Sequence, residues 1–267
     1  MTTKKDGRQT GIMMNMNERA KTSFIGMFDS GAGGISVLRA CMNELPNESF
    51  HYFGDSANAP YGDQGVERIR ELSFDIVNKM VDEGAKAIVI ACNTATSAAA
   101  EHLRETFADI PIIGIEPALK PAALAGGRIL VLATEATVHL EKYHVLAAKY
   151  GAENMETVAC SGLVEFIEAG NLEDPAIETY LREKIGHLRG HVDNVVLGCT
   201  HYPFIKKQIA AVLGDVAFFD GAQGTAQQLK RRLVEFDLLA PKEQTGSVEF
   251  ASSIPGQTAL YERLFSL

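Results

Sequence analysis

Two of the four cysteines follow apolar segments of the same pattern. Residues 87–94 read AIVIACNT and contain Cys92, and residues 194–201 read NVVLGCTH and contain Cys199. We predict that each cysteine lies where a strand ends and a helix begins, a position at which the helix N-terminus stabilises a thiolate. Two thiols on opposite sides of one carbon atom could remove a proton from one face and return a proton to the other.

A single cysteine after a buried strand is more often a packed core residue than a catalytic group. Because Cys92 and Cys199 occur in the same sequence context, we predict that both are catalytic groups rather than packed core residues. Cys41 and Cys160 lack this context, and we assign them to packing. No two cysteines are close enough in sequence to form a Cys-x-x-Cys metal or redox motif.

The charge balance limits the classes of partner. The 267 residues include 25 basic and 34 acidic side chains, for a formal net charge of −9. An acidic chain is a poor candidate for binding nucleic acid or an anionic membrane surface. An anionic substrate would have to be held by local donors, such as the backbone N–H groups at helix N-termini.

The N-terminal residues carry no targeting signal. No segment of the chain approaches the roughly 18 apolar residues of a membrane span. Residues 1–22 are polar and lack the apolar core of a signal peptide, so we predict a disordered N-terminal extension. Without an export signal, we expect a cytoplasmic protein with free thiols.

Short apolar runs alternate with segments of helical periodicity along the remaining chain. The predicted strands are 24–28, 50–53, 87–91, 110–115, 129–133, 157–160 and 195–198, and the main predicted helices are 34–45, 69–81, 138–150, 163–169 and 175–188. This alternation predicts an α/β fold with mostly parallel sheets that are covered on both faces.

The similarity of residues 87–94 to residues 194–201 predicts two pseudo-symmetric α/β lobes. We expect residues 23–117 plus 225–267 in the first lobe and residues 118–224 in the second. Ligands of open α/β sheets bind at the carboxyl ends of the strands, and both cysteines follow such ends. The active site is therefore predicted in the cleft between the lobes, with one cysteine from each.

Four motifs resemble signatures of the bacterial glutamate racemases and occur in that family's order. They are DSGAGG at 29–34, DSANAPYG at 55–62, ACNTA at 91–95 and GCTHYP at 198–203. The resemblance extends from about Phe24 to the C-terminus. It implies an enzyme that interconverts L- and D-glutamate without pyridoxal phosphate, metal or any other cofactor. It also implies a supply of D-glutamate for peptidoglycan and, as is usual in the family, a homodimer.

The resemblance also assigns roles to individual residues. It implies that Cys92 and Cys199 act on opposite faces of the substrate α-carbon, and that Asp29 assists the first thiol and contacts the substrate ammonium. It also implies that His201 lies near the second thiol and that Glu168 lies near the site. The residues implied to hold the substrate are Asp29, Ser30, Pro60, Tyr61, Gly62, Asn93, Thr94, Thr134, Thr137, Thr200 and His201.

Several of these assignments have structural alternatives. Asp29 could cap the following helix, Glu168 could be a solvated charge at a helix end, and residues 60–62 could form an ordinary turn. Ala133 and Ala136 stand where the family more often has glycine, which narrows the backbone options beside the two threonines at 134 and 137.

Other functions remain as alternatives. Residues 31–34, GAGG, could bind a nucleotide, but Ser36 stands where a dinucleotide fingerprint requires glycine. A related racemase that acts on aspartate and a decarboxylase with one thiol have a similar fold. A non-catalytic role, in binding a metabolite or a protein partner, is a further alternative. Pyridoxal catalysis would need a Schiff-base lysine, and no lysine follows a predicted strand in the way that the cysteines do.

Overall fold

The computed structural model describes residues 20–139 and 141–267. Residues 1–19 of the predicted N-terminal extension lie outside this part of the chain. The last three residues of that extension, 20–22, are helical. Lys21 forms an ion pair of 3.0 Å with Asp237, so the start of the described chain contacts a residue more than 200 positions later in the sequence.

Nine strands within the described residues form two sheets, and every strand pairing is parallel. The strands are β1 (Ile25–Asp29), β2 (Phe50–Gly54), β3 (Ala87–Ile90), β4 (Ile112–Gly114), β5 (Ile129–Ala133), β6 (Met155–Ala159), β7 (Asn194–Leu197), β8 (Ala217–Asp220) and β9 (Val248–Ser252). The predicted α/β class with two mostly parallel sheets is confirmed.

Eleven α-helices connect and cover the strands in the same described ranges. They are α1 (Ile35–Glu44), α2 (Val66–Asp82), α3 (Asn93–Thr106), α4 (Leu119–Ala125), α5 (Glu135–His139), α6 (Glu141–Lys149), α7 (Leu163–Glu168), α8 (Pro175–Ile185), α9 (Lys206–Leu213), α10 (Ala222–Glu235) and α11 (Thr258–Phe265). The helix predicted over 138–150 is wrong in its bounds, because two helices occupy residues 135–139 and 141–149. No helix among the described residues is long and apolar enough to cross a membrane.

The two sheets share one strand order, which explains the repeated sequence pattern. The first sheet runs β4-β3-β1-β2-β9, and the second, written in the same direction, runs β8-β7-β5-β6. β3 and β7 therefore hold equivalent positions, each between a central strand and an edge strand. β9 is an additional strand of the first sheet and pairs with β2. The predicted lobe boundaries, 23–117 plus 225–267 and 118–224, remain a proposal.

The strands that lead to the site are buried along their whole length. Every residue of β1, β3, β5 and β7 is buried, as expected for parallel strands with helices on both faces. The outer strands β6, β8 and β9 are only partly buried. This rigid centre fixes the residues that follow β1, β3 and β7, which are the residues predicted to do chemistry.

Candidate active site

The cysteines directly follow β3 and β7, and both are 6% exposed. Cys92 is the N-cap of α3, where the Ala95 N–H donates to its Sγ at 3.4 Å. The prediction of a helix beginning directly after Cys199 is wrong, because a short 3-10 helix, Tyr202–Ile205, comes first and α9 begins only at Lys206. Only Cys92 therefore has an α-helix N-terminus beside its sulfur.

Both cysteines line one small, narrow cavity. Its walls come from both sheets. The lining residues are Ser30, Pro60, Tyr61, Gly62, Cys92, Asn93, Thr94, Thr134, Val164, Gly198, Cys199, Thr200 and His201. Eleven of these thirteen belong to the predicted site. Val164 and Gly198 were missed, and neither carries a polar side chain that would have marked it.

The environment of Cys92 keeps its thiol protonated. Its Sγ donates toward Ser30 Oγ at 3.7 Å. Burial raises the pKa of Cys92 to about 12, and the negative charge of Asp29 raises it further. The hydrogen bonds with Ala95 and Ser30 act in the opposite direction. The expectation that the helix N-terminus would lower the pKa of this thiol is therefore wrong, because desolvation outweighs the helix.

Cys199 has a different partner. Its Sγ lies 3.6 Å from Nδ1 of His201, and Nε2 of the same ring lies 2.6 Å from Glu168 Oε1. The His201 side chain is 2% exposed and that of Glu168 is 15% exposed. Burial alone would lower the pKa of His201, but the contacts with Cys199 and Glu168 hold it well above its ordinary value.

The pKa of Glu168 is shifted in the direction expected for the partner of a protonated histidine. Burial acts to raise the pKa of Glu168, but the hydrogen bond and charge of His201 outweigh burial and lower it. The Gly33 N–H lies 3.1 Å from Nε2 and could donate only to an unprotonated ring. Because the pKa of His201 is raised, we assign a protonated Nε2 that donates to Glu168, and hence an ion pair.

The turn after β1 fits closely against this pair. The Ala32 N–H donates to Glu168 Oε1 at 2.6 Å. A Cβ at Gly31 would lie 2.0 Å from the same oxygen, and a Cβ at Gly33 would lie 2.4 Å from His201 Nδ1. Glycine at 31 and 33 therefore lets the first sheet's turn approach side chains that follow strands of the second sheet.

Asp29 lies behind the cavity and does not line it. It is completely buried, accepts from the Gly31 N–H at 2.8 Å and from the Thr200 hydroxyl at 3.0 Å. Burial raises the pKa of Asp29, while the charge of His201 acts in the opposite direction. Asp29 thus connects the turn after β1 to the residue that follows Cys199.

Three threonine hydroxyls gather at one end of the cavity. Thr134 Oγ1 lies 2.9 Å from Thr137 Oγ1 and 3.3 Å from Thr94 Oγ1, so α3 and α5 meet here. Asn93 Oδ1 is buried without a hydrogen-bond partner. Thr137 supports this group from just outside the cavity. Hydroxyl and amide groups of this kind can bind a carboxylate.

Residues 60–62 line the cavity next to the threonine hydroxyls, since a Cβ at Gly62 would lie 3.3 Å from Thr134 Cβ. The position of this loop is fixed by a residue that the sequence analysis missed. Asp55 Oδ2 accepts from the Tyr61 hydroxyl at 2.7 Å and from Asn58 Nδ2 at 3.0 Å. Asp55 is 3% exposed, so this loop is anchored to the end of β2 by a buried carboxylate. Its place in the DSANAPYG motif was the only available sequence signal.

In the described part of the chain, no three His, Cys, Asp or Glu side chains are grouped in a way that could hold a metal ion. The site offers two thiols that follow strands of different sheets. One lies beside a serine and the other beside a buried imidazole–carboxylate pair, and hydroxyl and amide groups surround the space between them.

Comparison with known proteins agrees with this geometry. Residues 26–229 match the Asp/Glu/hydantoin racemase family. A glutamate racemase of Clostridium perfringens is 48% identical over 251 residues, which cover 92% of this chain and 96% of that relative. The glutamate racemase structure from Thermus thermophilus with β-chloro-D-alanine is 37% identical, with a TM-score of 0.79 over 91% of this chain and 93% of that one. The Francisella tularensis enzyme with D-glutamate is 29% identical, with a TM-score of 0.79 over 92% and 95% of the two chains.

The fold, the site and these matches define an isomerase of the amino-acid racemase class. The chain belongs to the Asp/Glu/hydantoin racemase family.

Proposed function

We propose that this protein interconverts L- and D-glutamate, with Cys92 and Cys199 as the two acid–base groups. One observation carries the proposal: two thiols on separate sheets line the same small cavity, and each has its own polar partner. The substrate choice rests on the relatives, one of which holds D-glutamate. The mechanism rests on the chemistry of the site.

Inversion of an α-carbon requires one base and one acid on opposite faces. A thiolate takes the α-proton and becomes a thiol, which leaves a carbanion whose charge is delocalised into the carboxylate. The thiol on the other face then gives its proton to the same carbon and becomes a thiolate. The exchange moves two protons and conserves charge, and in the next turnover the two sulfurs have exchanged roles.

The surroundings of the sulfurs favour one resting arrangement. Cys92 is held as the neutral thiol because burial raises its pKa to about 12. The imidazolium of His201 can donate its Nδ1–H to the sulfur of Cys199, 3.6 Å away. On the basis of this contact we assign Cys199 as the base of the first turnover and Cys92 as the acid that supplies a proton.

The cavity offers hydrogen-bond donors for both carboxylates of glutamate. Among the described lining residues the cation is the imidazolium of His201 rather than a lysine or arginine, and the other donors are neutral. We assign the side-chain carboxylate to the hydroxyl group formed by Thr94, Thr134 and Thr137 and to the backbone of residues 60–62, which lies against Thr134. We assign the α-carboxylate to Ser30 and Asn93, because the Thr200 hydroxyl donates its hydrogen to Asp29. Asp29, behind the cavity, acts on the ammonium group through Thr200 rather than by direct contact in the arrangement seen here.

The wider role follows from the family and forms part of the same proposal. We infer that the reaction needs no cofactor, that the enzyme works in the cytoplasm as a homodimer, and that it supplies D-glutamate for peptidoglycan. Each is open to a separate measurement, and none is needed for the chemistry described above.

Incubation of D-glutamate with the enzyme in heavy water tests the proposal. We expect loss of optical rotation until the two enantiomers are equal, with deuterium entering at the α-carbon. D-Aspartate in a parallel reaction tests the choice of side chain. If neither amino acid loses its optical rotation, the proposed reaction is contradicted. If aspartate is turned over faster than glutamate, the proposed substrate is contradicted.

A further inference from the structure

The ion pair of Glu168 and His201 has a second set of contacts, made by the C-terminal segment, residues 248–267. Glu168 Oε1 faces His201 and Ala32, whereas Oε2 lies 3.4 Å from the Ser56 hydroxyl. Ser56 Oγ is 2.8 Å from the hydroxyl of Tyr261, which lies on α11. A line of hydroxyl groups thus connects the C-terminal helix to the carboxylate that holds His201.

The direction of these hydrogen bonds can be assigned from the acceptors present. A carboxylate oxygen only accepts, so Ser56 donates its single hydroxyl hydrogen to Glu168 and accepts from Tyr261. The Gly54 carbonyl, 3.3 Å from the phenol oxygen, is a second acceptor for the Tyr261 hydrogen, and Ser56 at 2.8 Å is the nearer one. We assign the Tyr261 hydrogen to Ser56, and Ser252 Oγ, 3.0 Å from the phenol oxygen, as the donor to Tyr261. In this assignment every hydroxyl points its hydrogen toward Glu168, which stabilises the charged carboxylate.

The C-terminal segment reaches α7 at two further points. Gln257 Nε2 lies 3.5 Å from Glu168 Oε2, and Arg263 donates to the backbone carbonyl of Gly170 at 2.6 Å. Tyr261 is completely buried and meets Tyr52 edge-on at 5.4 Å. The segment therefore holds both the carboxylate and the end of the helix that carries it, although no residue of the segment lines the cavity.

We propose that Tyr261 is a positioning residue, which fixes Glu168 through Ser56 and so sets how strongly the carboxylate holds the imidazolium of His201 beside Cys199. This inference rests on the proposed function, because it gives the C-terminal helix a part in setting the second acid–base group. Without the hydroxyl series, the carboxylate loses donors that share its negative charge and becomes more basic. Glu168 then takes up a proton at higher pH, and His201, held more tightly, also releases its proton at higher pH.

Other ionisable groups surround the pair and stay in place when Tyr261 changes. Tyr52 from β2 and Asp29 from β1 face Glu168, and Asp29 and Cys199 face His201. Arg263 lies at the end of α7. Because none of these groups is removed, a change in the titration of His201 in the variant reports the loss of the hydroxyl series itself.

The test compares the full-length protein with Tyr261→Phe and Phe265→Leu. The first variant keeps the aromatic ring against Tyr52 and removes only the hydroxyl. The second variant is the control. The rings of Phe265 and Phe250 pack with their centroids 5.8 Å apart, so replacing Phe265 by leucine loosens the packing of α11 without changing a hydroxyl of the series. The titration of His201 is followed by NMR of ¹⁵N-labelled imidazoles in the absence of substrate, with the signal assigned from its loss in His201→Gln.

We expect the His201 midpoint to rise by roughly one pH unit in Tyr261→Phe and to stay at the wild-type value in Phe265→Leu. The pH profile of kcat/KM should move to higher pH in Tyr261→Phe alone. A wild-type His201 titration in Tyr261→Phe would overturn the inference. If that variant does not fold, Ser56→Ala decides by the same criteria, because it breaks the series next to the carboxylate.

The outcome separates this inference from the proposed function. If the wild-type enzyme racemises no amino acid, the proposed function fails, yet the substrate-free titration still shows whether Tyr261 controls His201. If the wild-type enzyme racemises glutamate while the Tyr261→Phe titration is unchanged, the proposed function stands and this inference fails.

Discussion

Gly33 and His201 are in such close contact that no side chain fits between them. A Cβ at Gly33 would lie 2.4 Å from Nδ1 and 2.6 Å from Cε1 of the imidazole. The two residues follow strands of different sheets, β1 and β7, so this contact sets how closely the two sides of the cavity approach. The same Nδ1 faces the sulfur of Cys199 at 3.6 Å.

Gly33→Ala should therefore displace the imidazole from Cys199. We expect kcat/KM for D-glutamate to fall by about 10²-fold, because misplacement of a catalytic group by about 1 Å has effects of that size. Gly65→Ala is the matched control, since a Cβ at Gly65 meets nothing within 4 Å. Wild-type racemisation by Gly33→Ala would show that His201 can move without loss of function.

Replacement of either thiol should remove turnover. Cys92→Ser and Cys199→Ser are each expected to lower kcat by about 10²–10⁴-fold, the range for loss of an acid–base group. Cys41→Ala is the control, because Cys41 is buried in the core beside α1 and lies away from the cavity. Far-ultraviolet circular dichroism checks the fold of each variant. Full activity in either serine variant would exclude that cysteine from the mechanism.

The thiol of Cys92 should resist ionisation. Burial raises its pKa to about 12, so the substrate-free enzyme holds Cys92 as a thiol throughout the neutral range. Thiolate absorbance near 240 nm, taken as the difference between wild type and Cys92→Ser, should stay flat as the pH rises to about 10. A step near neutral pH would mean that the helix N-terminus overcomes desolvation after all.

The ion pair should make stability depend on pH in a defined window. The folded pKa of His201 is raised, so its contribution is complete below the unfolded value of about 6.5 and is lost as the pH rises through the folded value. The folded pKa of Glu168 is lowered, so its contribution is present above about 4.3 and is lost as the pH falls through the folded value.

Glu168→Gln should consequently lower the free energy of unfolding by about 1–3 kcal/mol between roughly pH 5 and 6.5. The difference from wild type should shrink at alkaline pH, where His201 is neutral in both proteins. Urea unfolding at a series of pH values measures it. Glu178→Gln, which affects an exposed pair with Arg182, is the control and should change stability little. A difference that grows with pH would contradict the assigned charges.

The loop at residues 60–62 should act on substrate binding more than on chemistry. Tyr61→Phe removes the hydrogen bond to Asp55 that anchors the loop, so we expect KM for glutamate to rise about five- to tenfold with a smaller change in kcat. Steady-state kinetics measure both constants. An equal loss in kcat with no change in KM would place the loop's effect in the chemical step instead.

Much of the fold was predictable because its signals are local. The strand predicted at 129–133 has those bounds, and the apolar runs that lead to Cys92 and Cys199 are the buried strands β3 and β7. Periodicity and turn residues determine such elements within a few positions. The cavity residues were predictable for a related reason, since parallel strands bring the residues after their carboxyl ends together.

Features that depend on distant contacts were not predictable. The pKa of Cys92 is set by burial, which follows from the packing of both sheets rather than from the neighbouring residues. Tyr261 and Ser56 are 205 positions apart and carry no pattern that pairs them. β8, α10, β9 and α11 were not predicted either, although α10 and α11 each bury an apolar face.

The position of β9 has a consequence for how the chain is made. All four strands of the second sheet lie between residues 129 and 220, so that sheet can pair as soon as those residues have left the ribosome. The outer side of β2, by contrast, has no neighbour until residues 248–252 have been synthesised. During that interval the nascent polypeptide presents an open strand edge, and this is the stage of biosynthesis at which aggregation or recognition by chaperones should concentrate.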